Sequence, residues 1–379
     1  MLVEFGAKNF FSFKEGFSVS FKLGSSCPEH ISNGNEISNV MCIKGANGSG
    51  KTNVLKAINF IFGFCKDSFN SKPEVKIGFD SFFNNEDVSD FYVKFYIENT
   101  LYTYEATLTE GKIISETLFR KEKREVKVFE RNENIISNVI REFDAIKSIP
   151  KLRSNASLIS TAHQFQINCL EPIYDFFSDA ISNVFYFGMN DSIEIKKLTK
   201  FMHEHSDYYE FVKATVKKFD PGLHDLYLHE SEAGDGEKTY TPWFVFKIDN
   251  NIKILSYSMQ SSGTQSLYKQ LCGYKTVLDN GALMIMDEFD INLHPHILPH
   301  LLDFFINPET NPNNAQIIFT THNTEILDFL GRHRTCLVNK DNNESYLYRL
   351  DDIPGDILRN DRAISPAYNL GKIGGVPKI

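Results

Sequence analysis

Residues 45–52 read Gly45-Ala46-Asn47-Gly48-Ser49-Gly50-Lys51-Thr52 and fit G-x-x-x-x-G-K-[ST], a pattern whose chemistry is phosphate binding. Gly45, Gly48 and Gly50 let the backbone curl with its N–H groups pointing inward. Those amides act together with the positive end of the helix that follows. Lys51 supplies a point charge for the β- and γ-phosphates, and the Thr52 hydroxyl is placed to ligate Mg2+. A P-loop alone does not hydrolyse anything efficiently. It needs an acid that orders the metal and a group that orients water, and Leu283-Met284-Ile285-Met286-Asp287-Glu288 supplies both. The apolar residues predict a buried strand, and the carboxylates follow its carboxyl end, where an α/β sheet places its ligand. Asp287 would hold the Mg2+ shell, and Glu288 would orient or deprotonate the attacking water.

The design repeats in Ile317-Ile318-Phe319-Thr320-Thr321-His322-Asn323. A histidine at a strand end is more often structural than catalytic. Its place one β/α unit after Asp287-Glu288 favours a hydrogen bond from His322 to the γ-phosphate or the attacking water. Ahead of a predicted helix stands Gln260-Ser261-Ser262-Gly263-Thr264-Gln265, small hydroxyls and a glycine at a helix N-terminus, which is a second phosphate site. An ordinary N-cap at Ser262 explains part of that pattern. The P-loop already holds phosphates in cis, so Ser262, Gly263, Thr264 and Gln265 are expected to act in trans, on the nucleotide of a second copy.

The elements that must position these groups are legible on either side of them. Asn39–Lys44 predicts a buried strand, and from Asn53 the apolar Val54, Ala57, Ile58, Ile61 and Phe62 recur at helical spacing. Leu2–Phe5 and Phe17–Leu23 predict two strands around the turn containing Asn9-Phe10-Phe11-Ser12-Phe13. Residues 91–98, 101–109, 112–120 and 125–131 predict an antiparallel meander. Helices are expected over 138–148, 154–166, 170–183, 191–204 and 206–218, with a short strand at 183–188. Extended chain returns over 217–237, with an acidic loop at Glu232–Glu237, and a hairpin turns about Asp249-Asn250-Asn251. The last third alternates helix and strand, and the tail from about Asp361 reads as a weakly ordered loop. The domain reading is 1–137 for the N-terminal part of a nucleotide-binding head with its antiparallel β lobe, 138–220 for a helical insert, and 221–379 for the rest of the head.

With 379 residues, 42% hydrophobic and 23% charged, the composition is that of an ordinary soluble globular protein with room for a large core. A net charge of −9 argues against broad, sequence-blind nucleic-acid binding. A local basic face remains open between Arg120 and Arg131, where Lys121, Lys123, Arg124, Lys127 and Arg131 cluster. Glu122, Glu125 and Glu130 interleave with them, as on a solvated hairpin. The six cysteines form no C-x-x-C, so a reducing cytoplasm is expected. No signal-peptide pattern opens the chain, and no apolar run approaches the roughly 20 residues that span a bilayer. His294, His296 and His300, with His203 and His205, raise a metal site as a minor reading.

The order of these motifs resembles the ABC-type ATPase heads of the SMC, RecF and OLD proteins. Asn9-Phe10-Phe11-Ser12-Phe13 is similar to their N-terminal NF-x-S strand, and Asn47 fits their form of the P-loop. Ser261-Ser262-Gly263-Thr264-Gln265 looks like the signature loop, with Thr264 in place of its second glycine. Asp287-Glu288 matches Walker B, Asn292-Leu293-His294-Pro295 the D-loop, and His322 the switch histidine. The resemblance implies an α/β P-loop fold with an antiparallel β lobe, ATP and Mg2+ as cofactors, and a homodimer or higher oligomer that sandwiches ATP. It also implies nucleotide contacts from Asn9, Asn47 and Asn53. Gln164, on a predicted helix face with Gln166, is the candidate Q-loop glutamine. A narrower likeness, carried also by Tyr368-Asn369-Leu370-Gly371-Lys372-Ile373-Gly374-Gly375-Val376-Pro377, is to the small ATPases of AbiL-like abortive-infection systems. It implies a slow ATPase in antiviral defence, paired with a separately encoded effector such as a Toprim-like nuclease or toxin. Only about 57 residues follow His322, so the chain is not expected to be the nuclease itself. The other reading is a RecF-like, ATP-dependent DNA-binding repair protein.

Overall fold

Three apolar runs, Val-Met-Cys-Ile, Leu-Met-Ile-Met and Ile-Ile-Phe, have no polar residue to turn toward water, so both faces of their strands must be covered. The computed structural model describes residues 1–190, 193–232, 238–249, 251–355, 358–359 and 362–376. In chain order its strands and helices begin with β1 (Leu2–Lys8), β2 (Phe17–Ser20), α1 (Glu29–Ser32), β3 (Val40–Gly45) and α2 (Lys51–Asp67). The meander follows as β4 (Ser89–Ile97), β5 (Thr100–Leu108), β6 (Ile113–Lys121), β7 (Glu125–Asn132) and β8 (Ile135–Ser137). Next come α3 (Leu158–Gln164), α4 (Glu171–Ser178), β9 (Ala180–Ser182), β10 (Val184–Phe185), β11 (Gly188–Met189), α5 (Ile195–Glu204) and α6 (Ser206–Phe219). A three-stranded sheet contains β12 (Leu223–Glu232), β13 (Lys238–Ile248) and β14 (Asn251–Ser256). The chain then forms α7 (Ser262–Asn280), β15 (Leu283–Met286), α8 (Leu298–Ile306), β16 (Gln316–Thr320), α9 (Ile326–Leu330), β17 (Thr335–Asp341), β18 (Glu344–Arg349) and α10 (Ser365–Asn369).

The central sheet runs β18-β17-β3-β16-β15-β9. All its pairs are parallel except that of β17 with the edge strand β18. Side chains alternate between its faces. Met41, Ile43, Ile285 and Ile318 join the core formed with α2 and the seven-stranded antiparallel sheet β2-β1-β4-β5-β6-β7-β8. Val40, Cys42, Met284, Met286 and Phe319 join a second core with α6, α7, α8 and the three-stranded sheet. The fold is mixed α/β, with a parallel core sheet and an antiparallel β lobe, as the motif order implies. Among the described residues no helix is long and apolar enough to cross a membrane.

The meander matches its sequence pattern: Phe91, Val93 and Phe95 are buried while Tyr92 and Lys94 lie half-buried on the other face. Four expectations are corrected. The helix predicted over 138–148 is a 3-10 helix, Arg141–Ser148. The helix predicted over 170–183 stops at Ser178, and Ala180–Ser182 becomes an edge strand. Three residues carry no period of their own, and they are extended because they pair in parallel with Leu283–Ile285. Asn9–Phe13 is the turn expected between two strands and not the strand of the motif it resembles, with Asn9 and Phe11 at φ 52° and 48°. The tail is not loose over 364–376. Tyr368 donates to the Gly375 carbonyl at 2.7 Å, the Asn339 side chain accepts from the Gly375 N–H at 2.6 Å, and Tyr368, Ile373, Leu327 and Leu350 share a small core. Of the expected elements, residues 233–237 of the acidic loop, Asp191 and Ser192 of the helix, Asn250 of the turn and Pro377 lie outside the described residues.

Arg131 is a fifth correction. It belongs to no basic surface: Arg131 and Glu116 are both fully buried and pair at 2.6 Å. Arg131 also donates to the carbonyls of Glu133, Arg153 and Ala156. Glu116 accepts in addition from the Tyr104 hydroxyl and the Leu158 N–H. Arg120 and Lys127 pair with Glu142 and Glu130, which leaves Lys121, Lys123 and Arg124 exposed beside Glu122 and Glu125.

Candidate functional site

The P-loop joins the end of β3 to the start of α2, and its shape depends on glycine. Gly48 and Gly50 take φ of 73° and 111°, which side chains resist. A Cβ on Gly45 would lie 2.3 Å from the Val338 carbonyl oxygen on the neighbouring strand. Lys51 folds back over the loop and donates to the carbonyls of Gly45 and Ala46, both at 3.0 Å. Its pKa is lowered by burial, against the opposing pull of Asp287, Glu288 and Asp290. Asn47 and Gly48 are exposed at the loop's crest.

Asp287 leaves the end of β15 and faces Thr52, whose hydroxyl donates to Oδ2 at 2.8 Å. On its other side the Thr320 hydroxyl donates to Oδ1 at 2.5 Å. That hydroxyl also accepts the Glu288 N–H at 2.8 Å. Glu288 itself sits at φ 49°, a conformation a non-glycine residue holds only where its surroundings impose it. Asn183, directly after β9, clasps the Asp287 backbone: it accepts the N–H at 2.7 Å and donates to the carbonyl at 3.0 Å. Neither Asn183 nor Thr320 was among the residues expected at the site. Thr320 was visible as the polar end of a buried strand, whereas nothing local to Asn183 marks it.

The segment Thr321–Asn323 is held from two sides. The Lys44 ammonium donates to the carbonyls of Thr321, His322 and Asn323 at 3.3, 2.7 and 3.0 Å. The Asp290 carboxylate accepts the N–H groups of His322 and Asn323 at 3.1 and 3.2 Å. The His322 side chain is exposed. Burial, opposed in part by Asp290, lowers the Lys44 pKa from 10.5 to about 8. The unfolded chain holds that proton more tightly, so the Lys44 contribution to stability rises as pH climbs from about 8 to 10.5 and is level below that window. Lys44→Met should lack this rise. Urea unfolding midpoints of the two proteins at about pH 7.5 and about pH 9.5 would show it, and identical pH responses would refute it.

The structure does not bring every expected residue to this place. All the polar atoms of the Asn9 side chain are engaged elsewhere: Nδ2 donates to Asn85, Asp87 and Val88, and Oδ1 accepts the Phe82 N–H. From that turn it is Ser12 that reaches the loop, accepting from Asn53 at 2.9 Å and lying 2.8 Å from Ser345. Gln164 is exposed at the end of α3, and α3 packs on the far end of α2, where Ser160 donates to the Lys66 carbonyl. An α-helix rises about 1.5 Å per residue, so the length of Lys51–Asp67 separates Gln164 from the loop.

The 260–265 segment opens α7. Its cap is Ser261 rather than Ser262, the Ser261 side chain accepting the Thr264 N–H at 3.1 Å. The Thr264 hydroxyl is buried against Asp220 and Ser261, and the Gln265 amide turns back to the Gln260 carbonyl. Ser262 is exposed, and a Cβ on Gly263 would lie 2.9 Å from the Asn292 carbonyl oxygen. Ser262, Gly263 and Asn292 thus form one edge. Among the described residues no hydrogen bond joins residues 261–265 to the P-loop. The histidines do not gather at one point: His294 and His296 meet edge to face, but His300 lies against Phe219 and His203 against Tyr240. Among the described residues no three histidine, cysteine or acidic side chains gather as a metal site.

These groups fit a magnesium-bound nucleoside triphosphate. Thr52 and Asp287 present a hydroxyl and a carboxylate oxygen to each other, the hard donors that Mg2+ takes. The Ser49 hydroxyl is buried in the loop without a partner. Lys51 is held only by carbonyls that a phosphate oxygen can replace.

Residues 40–328 match the family model described as "AAA domain, putative AbiEii toxin, Type IV TA system". No curated protein matches the chain. Among solved structures, the chain is similar to an SMC head bound to the C-winged helix domain of ScpA, at 12% identity and a TM-score of 0.50, covering 92% of this chain and 96% of that one. It is also similar to the SMC head domain from Thermotoga maritima, at 13% identity and a TM-score of 0.44, over 92% and 98% of the two chains. The first likeness shows the fold, that of an SMC-type ATPase head.

Proposed function

The chain belongs to this AAA-domain family of P-loop ATPases, and from that premise we propose a nucleotide-switched ATPase that closes as a dimer over ATP. Its cycle would control a separately encoded toxic effector in prokaryotic anti-phage defence. The observation that carries the reading is the carboxylate of Asp287, held between Thr52 and Thr320 with Glu288 locked beside it. In this reading one head supplies the metal-ordering and water-orienting groups, while Ser262 is exposed on a separate edge beside the half-buried Gly263.

In this reading Gly45–Thr52 wraps the phosphates and Lys51 leaves its two carbonyls for them. Thr52 and Asp287 would hold Mg2+, which would supply screening of the phosphate charge. Glu288 accepts the proton of the attacking water, and His322, fixed by Lys44 and Asp290, donates to the phosphoryl oxygen. Ser262 and Gly263 of a second copy close the site. The family's connection to toxin–antitoxin systems and the AbiL-like tail motif support the defence role.

Ser262→Glu separates the trans contact from folding. A carboxylate at a helix N-terminus favours the helix, yet across the interface it meets a triphosphate. The variant should bind ATP as a monomer, fail to form an ATP-dependent dimer, and lose roughly tenfold or more in turnover, since like charges held together in a closed site cost several kcal/mol. Light scattering with and without ATP and ATPase rates at several protein concentrations would measure this. Normal dimerisation by the variant would sink the sandwich.

DNA binding is the second reading, and the buried Arg131 and paired Arg120 and Lys127 weaken it. Salt-dependent DNA binding that disappears on charge reversal at Lys121, Lys123 and Arg124 would put it first.

A further inference from the structure

Away from the phosphate loop, α1, α8, α9, residues 331–334 and residues Leu358, Arg359, Arg362 and Ile364 line a cavity of about 440 Å3. Its lining is cationic in a chain of net charge −9. Arg332, Arg334, Arg359, Arg362 and His30 line the cavity, together with Asp303 and Asp328. Neither Arg332 nor Arg334 has a carboxylate partner within ion-pair distance among the described residues. Arg334 is only 8% exposed, yet its guanidinium donates to the Ile31 carbonyl and its Nε has no partner. Arg332 donates to the carbonyls of Asp351, Ile353 and Leu358, and its Nε is likewise buried and unpartnered.

Two carboxylates among the described residues nearby are already engaged. Asp351 is paired with Arg349 and His333. Asp328 caps α10, accepting from the N–H groups of Ile364 and Ser365 and from the Ser365 hydroxyl. Asp303 stands exposed at the rim. A buried guanidinium that meets only carbonyls is incompletely compensated, and an anion entering the cavity would complete it.

We propose that this cavity binds a small molecule carrying two or more phosphate groups, at a site distinct from the P-loop. Guanidinium forks match phosphate oxygens in pairs. The volume falls in the range of small-molecule sites, roughly 300–1,000 Å3, and exceeds what one phosphate needs. The ligand would rest against α9, which follows the His322 segment directly, so occupancy bears on the switch without touching the P-loop.

The test uses the full chain carrying Lys51→Ala, which disables the P-loop, with inorganic pyrophosphate as the probe in titration calorimetry. One pyrophosphate should bind per chain. Adding Arg359→Glu and Arg362→Glu, both exposed, should weaken binding at least about tenfold, the effect of losing charge-assisted hydrogen bonds. Arg334→Met should abolish the thermal stabilisation that pyrophosphate gives. ADP in place of pyrophosphate separates a nucleotide from a simple diphosphate as the natural ligand class, tighter binding favouring the nucleotide. No binding by the Lys51→Ala protein, or binding unchanged by the Arg359/Arg362 double variant, would overturn the proposal.

Discussion

Glu288→Gln should lower the steady-state ATPase rate about 100- to 1000-fold while leaving ATP binding intact. In the proposed mechanism Glu288, the residue following Asp287, takes the proton of the attacking water, and positioned general bases contribute about 10²–10⁴-fold. Glutamine keeps the size and the N–H bond to Thr320 but cannot accept that proton. Because nucleotide then remains unhydrolysed, the variant should accumulate as an ATP-bound dimer. Rapid-mixing phosphate release together with size-exclusion chromatography in ATP would measure both effects. A variant that hydrolyses at the normal rate and forms no ATP-bound assembly would reject the mechanism. Lys51→Ala provides the contrast, since it should lose binding and assembly together.

The second large effect concerns stability. Arg131→Met should cost about 3–5 kcal/mol, because it leaves the Glu116 carboxylate buried without its cation. Arg131 also anchors Glu133, Arg153 and Ala156, so the β lobe and the 153–158 segment should loosen together. Pairing Arg131→Met with Glu116→Leu removes the stranded charge and should recover part of the loss. Denaturant midpoints for the three variants and the parent would establish the order. A single variant as stable as the parent would show that the pair is dispensable. ATP binding at low temperature should survive, because neither residue approaches the P-loop.

These two sites differ in how far the chain announced them. The nucleotide site is built from short runs whose chemistry is local: glycines that permit a curl, a lysine and threonine at fixed spacing, and acids directly after an apolar strand. Such runs were readable because each motif occupies one turn and its residue types are dictated by phosphate and metal. The antiparallel lobe was readable for a similar reason, since strict alternation of apolar and polar residues fixes which face is buried. Arg131 shows the opposite case. It sits among charged and polar residues such as Lys127, Glu130, Asn132 and Glu133, and only the closure of β6 and β7 over the 153–158 segment makes it a core residue.

The same division runs through the site itself. By itself the sequence determined the P-loop, the Asp287-Glu288 pair after its strand, and His322 after the next. It could not say that Asn9 belongs to the 82–88 segment, that Gln164 lies at the far end of α2, or that Asn183 clasps Asp287. Those facts depend on which strand pairs with which, and β9 is a strand only because β15 offers it an edge. Nor could a linear reading place Lys44 and Asp290 on opposite sides of one tripeptide, or gather arginines from distant segments around one cavity. Residue type and spacing fix the local chemistry, whereas long-range pairing decides which distant groups share a site, and that information resides in no single stretch of the chain.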